Sequence, residues 1–153
     1  MPITNNKKKW ASKRDNPNGA VILIPHYVLN SLAYKTLSGS AVRLLIDITM
    51  QYNNVNNGAL LASFRYMSEK RDWVSKGTLN KALLELLERQ LIVKTVQGRM
   101  PNKASWFAIG WCALDNIKHL DIKTQEFPRG KYAHWKPSGD ENQPQKIIAR
   151  KFG

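Results

Sequence analysis

The sequence predicts an α+β domain, built from short helices and a β-hairpin and flanked by two basic tails. Apolar residues make up 42% of the 153 residues and recur with a helical period as far as Gln90, beyond which they follow the pattern of strands. Turn-forming residues separate these segments. Lys and Arg number 24 against 11 Asp and Glu, which gives a net charge of +13. A chain of this length typically forms one domain.

The first 19 residues predict a basic, flexible N-terminal arm that ends in a turn at residues 16–19. Residues 20–24 form a short apolar run that favours a strand. Pro25 is then expected to open a helix at its first turn. The apolar face of that helix would hold Val28, Leu29 and Leu32.

A core-facing helix is predicted next, with Ser38 or Ser40 as its N-cap. Asp47 lies in this otherwise apolar helix, and Arg43 at i−4 offers it an ordinary ion pair. Turn residues at 53–58 end the helix, and a short strand at Leu60 and Leu61 follows. The i, i+3, i+4, i+7 pattern of a buried face is formed by Ala41, Leu44, Leu45 and Ile48.

A pair of helices joined by a tight turn follows, and residues 72–74 interrupt the helical pattern between them. Ser63 is expected to cap the first helix, which runs to about Lys70 with Phe64 and Met67 facing inward. Ser75 is expected to cap the second. The inner face of that second helix holds Leu79, Leu83, Leu86 and Leu87, while Leu84 points outward.

After Gln90 the pattern predicts a hairpin, with strands at 91–97 and 104–111 and a turn at 98–103. The segment after residue 115 is expected to be only partly ordered. The predicted organisation is therefore an arm at 1–19, a domain at 20–115 and a basic C-terminal extension at 116–153. The tryptophans at 73, 106 and 111 are expected in the core rather than as stacking platforms for single strands.

Helices joined by a tight turn and followed by a hairpin are typical of a winged helix-turn-helix, which binds duplex DNA. The second helix of the pair would enter the major groove with its N-terminal end. Its candidate DNA-binding residues are Ser75, Lys76, Gly77, Thr78, Asn80 and Lys81. Lys can pair with guanine acceptors and Asn with adenine, and a glycine allows close approach of the backbone.

The remaining candidate DNA contacts are cations. In the wing they are Arg99 and Lys103, because a basic hairpin tip can lie against phosphate or in the minor groove. Those of the helix pair and the arm are Lys70, Arg71, Lys7, Lys8, Lys9, Lys13 and Arg14. Each phosphate that a cation neutralises steepens the salt dependence of binding.

The stretch 25–115 resembles a bacterial and phage-borne family of winged-helix proteins, similar to plasmid replication-initiator winged helices. The resemblance is carried by residues 51–53 (QYN), 56–58 (NNG), 71–75 (RDWVS), 78–79 (TL), 82–86 (ALLEL), 91–92 (LI), 97–99 (QGR), Trp106–Ile109 and Trp111. It implies DNA binding on a mobile element, as a transcriptional regulator or a replication accessory factor. At position 90 a glycine is expected before the first wing strand, but the residue is Gln.

No enzyme activity, cofactor or metal site is predicted, since the three histidines are scattered and no Gly-rich phosphate loop occurs. A single cysteine, expected to be inert, and the lack of a signal segment favour a cytoplasmic protein without membrane contact. Besides duplex DNA, a homodimer partner and a host protein stay open. The alternative function is a protein-binding winged-helix scaffold, such as a phage-encoded inhibitor of a host nucleic-acid machine; RNA association is a third reading.

Overall fold

The computed structural model describes residues 19–138, which form five α-helices, a three-stranded antiparallel sheet and two 3-10 helices. This confirms the α+β class, and the arrangement is compatible with a winged helix. None of the described helices is long and apolar enough to cross a membrane. In chain order the elements are α1 (His26–Leu29), α2 (Leu32–Lys35), α3 (Gly39–Thr49), β1 (Leu60–Leu61), α4 (Phe64–Arg71), α5 (Lys76–Glu88), β2 (Ile92–Val96), β3 (Trp106–Ile109) and the 3-10 helices Thr124–Glu126 and Lys131–His134.

The segment before α3 differs from its prediction. Residues 20–24 form no strand, because the described sheet pairs only β1, β3 and β2 and offers them no neighbour. Pro25 is the N-cap of α1 rather than its first helical residue. The expected single helix is divided at Ser31, whose hydroxyl donates to the Val28 carbonyl (2.6 Å) and accepts from the Tyr34 N–H (3.3 Å).

The core forms between α3 and α5, as the apolar periods predicted. Ser38 caps α3 by accepting from the Ala41 N–H (3.2 Å). The two helices are also joined by Glu85 of α5, whose carboxylate accepts from both the backbone N–H and the hydroxyl of Ser38, each at 2.7 Å. The predicted inner residues that are fully buried are Ala41, Leu44, Leu45, Ile48, Leu79 and Leu86.

The sheet has the order β1-β3-β2, with Leu60 opposite Phe107 and Ile92 opposite Ile109. Both hairpin strands are shorter than predicted, and a bulge between Lys94 and Val96 interrupts their register. Beyond the regular strands the hairpin closes again at an isolated bridge between Arg99 and Lys103. We call residues 99–103 the hairpin tip.

Gln90 adopts the left-handed conformation that the expected glycine would favour, with a φ of 58°. It follows the end of α5, where its N–H donates to the Leu87 carbonyl (3.1 Å). Such a conformation costs a non-glycine residue roughly 1 kcal/mol. The change of chain direction at Gln90 brings Leu91 and Ile92 into the core, where both are fully buried. Their burial offsets the cost of the left-handed conformation.

Residues after 115 contact the preceding part of the domain. The domain boundary at residue 115 stays a prediction. The Asp121 N–H donates to the Thr95 carbonyl (2.8 Å), and Tyr132 is buried in the core. The Trp135 ring lies 4.2 Å from the guanidinium of Arg89. Arg89 also donates to the Ala33 carbonyl (2.8 Å) and to the Thr36 hydroxyl, so it joins α2, α5 and the C-terminal segment.

Candidate nucleic-acid interface

The N-terminal end of α5 presents all the residues that the sequence assigned to it. Ser75 caps the helix as predicted, since its hydroxyl accepts from the Thr78 N–H (3.2 Å). Leu79 is buried among them and anchors this end to the core. The exposed residues are Ser75, Lys76, Gly77, Thr78, Asn80 and Lys81.

Gly77 stands in open space on this surface. A Cβ added to it would meet no heavy atom within 4 Å. The fold therefore does not require a glycine here, and a glycine within a helix is unfavourable compared with alanine. Its backbone N–H also belongs to the first turn, where N–H groups have no acceptor within the helix.

The charged residues of α5 are placed opposite to the arrangement that the helix dipole favours. Its first turn contains Lys76 and no acid, and its last turn contains no base. The positive end of a helix dipole is stabilised by acids and the negative end by bases, so this arrangement is locally unfavourable for the helix. The same arrangement concentrates positive potential at the exposed end and makes that end attractive to an anion.

Further along α5 the exposed face changes from basic and polar to apolar and acidic. At 100° per residue, Leu84 and Glu88 continue the line of Gly77 and Lys81. Leu84 is 66% exposed, as the sequence predicted, and Glu88 is exposed two turns beyond Lys81. The surface suited to an anion is thus limited to the first two turns of the helix.

The turn between α4 and α5 is held by Asp47, which is only 4% exposed. One carboxylate oxygen accepts from the Arg71 Nε (2.8 Å) and the other from the Trp73 Nε1 (2.8 Å). The predicted ion pair with Arg43 is confirmed, at 3.8 Å, but Arg71 is the closer cation. The sequence offered no signal for the closer partner, because Arg71 lies 24 residues away.

Arg43 supports the same turn by other contacts. Its Nη2 donates to the Arg71 carbonyl (2.7 Å), and its guanidinium lies 4.6 Å from the centre of the Trp73 ring. Trp73 is buried, as predicted. We call Arg43, Asp47, Arg71 and Trp73 the turn cluster; it fixes α4 and the start of α5 against α3.

The predicted contacts Lys70 and Arg71 lie at the C-terminal end of α4, where cations are favoured by the helix dipole. Lys70 is exposed. Arg71 is partly covered and bound to Asp47, which gives it a structural role. The arm residues Lys7, Lys8, Lys9, Lys13 and Arg14 lie outside the described residues.

The hairpin tip brings Arg99 and Lys103 together. Each donates its N–H to the carbonyl of the other, at 2.8 and 2.9 Å, and both side chains are exposed. Residues directly opposite in an antiparallel pair project to the same face, so two like charges are neighbours there. Gly98 is required at the base of the tip, because a Cβ would lie 2.6 Å from the Lys103 carbonyl oxygen.

Cys112 is the only cysteine and is partly covered. Burial raises the pKa of its thiol above the usual value, which keeps it protonated at neutral pH and disfavours nucleophilic chemistry. Within residues 19–138 no three His, Cys, Asp or Glu side chains are grouped so that they could hold a metal ion.

Comparison with known proteins gives no assignment. No protein-family model matches the chain, and searches of curated proteins and of solved structures find no similar protein. The case for a function therefore depends on the end of α5 and on the hairpin tip.

Proposed function

We propose that this protein is a winged helix-turn-helix protein that binds duplex DNA. In this proposal α4 and α5 form the helix-turn-helix, and β2 with β3 forms the wing. The N-terminal end of α5 enters the major groove, and the hairpin tip lies on the neighbouring backbone or minor groove. The observation that carries the proposal is the charge order of α5, with Lys76 in its first turn and acids confined to its end.

That charge order is explained by an anionic ligand. Phosphates near the helix start would convert the unfavourable position of Lys76 into a favourable one, and Lys81, one turn beyond Gly77, is also exposed. Glu88 would repel phosphates at the other end of the helix, so the helix would point into the groove with its N-terminus rather than lie along it. Asn80 and Thr78 offer the polar atoms that base edges can pair with.

The biological role that we propose is that of a transcriptional regulator or a replication accessory factor of a mobile element. This role is what the resemblance noted in the sequence implies, and the comparisons with known proteins add nothing to it. The turn cluster supports the DNA-binding part, because it holds the start of α5 in a fixed position before any ligand arrives. A prearranged surface loses less entropy on binding.

The double substitution Lys76→Ala with Lys81→Ala is expected to weaken binding to a duplex by about 30-fold at fixed salt, since the two lost contacts contribute roughly 1 kcal/mol each. It should also lower the slope of log affinity against log salt by about 1.8, because two phosphate contacts are lost. Fluorescence anisotropy with a labelled duplex over a salt series measures both quantities.

The matched control is Lys35→Ala with Lys131→Ala, which removes the same charge from exposed positions. These residues lie beside the far end of α5, where Arg89 contacts α2 and Lys131–His134 packs against α2. The control should bind nearly as well as the unchanged protein. Equal losses in the two double variants would mean that net charge alone attracts DNA and that α5 has no special part.

Gly77→Ala should separate folding from binding. The protein is expected to become more stable, by up to about 1 kcal/mol, because alanine is the better helix former and its Cβ meets open space. Affinity for duplex DNA should nevertheless fall by about tenfold or more, since the added methyl group keeps the helix backbone from the DNA. Urea unfolding and anisotropy measure the two effects.

Gly39→Ala is the control for this experiment. Gly39 is likewise in the first turn of a helix, and a Cβ on it also meets nothing within 4 Å. It should raise stability by a similar amount and leave DNA affinity unchanged. Unchanged affinity in Gly77→Ala would show that no DNA backbone or base approaches this position.

The exposure of Leu84 favours one second candidate, a protein-binding scaffold that inhibits a host nucleic-acid machine. Leu84 is a large apolar residue on the same exposed face as Lys81, and no described contact covers it. An exposed leucine in the middle of a recognition helix offers DNA neither a charge nor a hydrogen bond. Co-purification of one host protein, together with no duplex binding even at low salt, would decide for this candidate.

A further inference from the structure

Met100 at the hairpin tip is 94% exposed. It lies between the two residues of the Arg99–Lys103 bridge and is followed by the exposed Pro101. The fold gains almost no packing from Met100. A long apolar side chain at such a position is available to a partner.

The surroundings of Met100 indicate what that partner is. Arg99 and Lys103 stand opposite each other, about 5.5 Å apart between Cα atoms, and like charges in this position destabilise the free hairpin. Residues 97–105 contain no acid, and the nearby Asp121 carboxylate accepts from the Gln97 N–H (2.7 Å) at the base of the hairpin. A polyanion with negative charge on both sides of an apolar slot would relieve the repulsion and receive the methionine.

The minor groove of duplex DNA has this form, since phosphates line both of its edges and base pairs form its floor. It is about 6 Å wide and 7.5 Å deep, so the tip can enter it but the whole hairpin cannot. Proteins that bind there use Arg, Lys and Asn for its edges and insert Met or Pro between base steps. The hairpin tip contains all of these residue types within five residues: Arg99, Met100, Pro101, Asn102 and Lys103.

Hydrogen bonds also hold the backbone of the hairpin tip in place. Two backbone hydrogen bonds close it at 99 and 103, and the Gly98 N–H donates to the Ser105 hydroxyl (2.9 Å) one step nearer the sheet. A side chain on a fixed support loses less entropy when it is bound.

We propose that the hairpin tip enters the minor groove and that Met100 inserts partly between neighbouring base pairs, unstacking them and bending the duplex. This inference rests on the proposed function but goes further, because duplex binding through α5 requires neither unstacking nor bending. Insertion favours steps that unstack easily, so the tip should prefer TA and CA steps.

The test uses a duplex of about 30 base pairs of alternating T and A, in which every register offers a flexible step. Several adenines are replaced by 2-aminopurine, whose fluorescence rises on unstacking, and dyes at the two ends report bending by energy transfer. Binding itself is measured separately by anisotropy. The variants are Met100→Ala and Met100→Gln, with Met50→Ala as the control, because Met50 is also exposed but lies at the end of α3.

The unchanged protein and Met50→Ala are expected to raise the 2-aminopurine signal and bring the duplex ends together. Both Met100 variants should lose most of that signal, by about fivefold or more, while their affinity falls by less than about tenfold. Their melting temperatures should equal that of the unchanged protein, since Met100 has almost no packing to lose.

Binding without unstacking by the unchanged protein would overturn this inference and leave the proposed function in place. The same would follow if Met100→Ala and Met100→Gln unstacked and bent the duplex as the unchanged protein does. No binding at low salt would overturn both proposals together.

Discussion

Replacement of Asp47 by alanine is expected to lower the free energy of unfolding by about 3 kcal/mol. The substitution leaves the buried Trp73 N–H without an acceptor and removes the charged partner of Arg71. The loss is moderated because the Arg71 side chain is 37% exposed and can be hydrated again. Asp47→Asn, which keeps one acceptor, should lose a smaller part of this stability. Urea unfolding measures each loss.

The exposed pair of Arg65 and Glu69, 3.3 Å apart on α4, provides the comparison. Glu69→Ala should change stability by less than about 0.5 kcal/mol, since exposed pairs one helical turn apart contribute little. Asp47→Ala should in addition weaken duplex binding under conditions where it is still folded, because the start of α5 loses its support. A stability equal to that of Glu69→Ala would mean that the turn cluster does not stabilise the fold.

Asn57→Ala is expected to be the more damaging change, with a loss of about 4 kcal/mol or more. Asn57 has no exposed surface. Its Oδ1 accepts from the Ile109 N–H (2.6 Å), and its Nδ2 donates to the carbonyls of Ile109 (3.2 Å) and Ala113 (2.9 Å). Alanine leaves the buried Ile109 N–H and the Ala113 carbonyl without their side-chain partner, whereas the Ile109 carbonyl keeps the Cys112 N–H (3.4 Å).

Asn53→Ala is the matched control, from the same run of turn residues. Asn53 is exposed, and its Oδ1 accepts one hydrogen bond, from the Val55 N–H (3.1 Å). Its loss should be about 1 kcal/mol or less, in the range of a single exposed hydrogen bond. Thermal and urea unfolding of the two variants side by side would test the difference, and similar losses would contradict the role given to Asn57.

The parts of the fold that sequence analysis could predict are those with local causes. The buried face of α3 follows from its apolar period, and the caps Ser38, Ser63 and Ser75 follow from hydroxyl groups placed just before helical runs. The exposed end of α5 follows from the same period, because it leaves Lys76 and Lys81 on the outer side.

What it could not predict depends on contacts between distant residues. Helical spacing predicts the pair of Asp47 with Arg43, four residues away, but not the closer Arg71, which comes from another helix. The contact of Glu85 with Ser38 spans 47 residues and has no periodic signature. The sequence shows at position 90 only that a glycine is missing; the burial of Leu91 and Ile92, which maintains the left-handed Gln90, is a property of the whole core.

The position of Arg89 has a consequence for how fast the chain folds and unfolds. It reaches Ala33, which lies 56 residues earlier in the chain, and Trp135, which comes from the C-terminal segment. Closing such long loops costs entropy before any contact is gained, so these contacts should form after the α3–α5 core has assembled. Interactions that are absent from the transition state slow unfolding without speeding folding. Arg89 should therefore act mainly on the lifetime of the folded protein, by holding α2 and the C-terminal segment in place once the core exists.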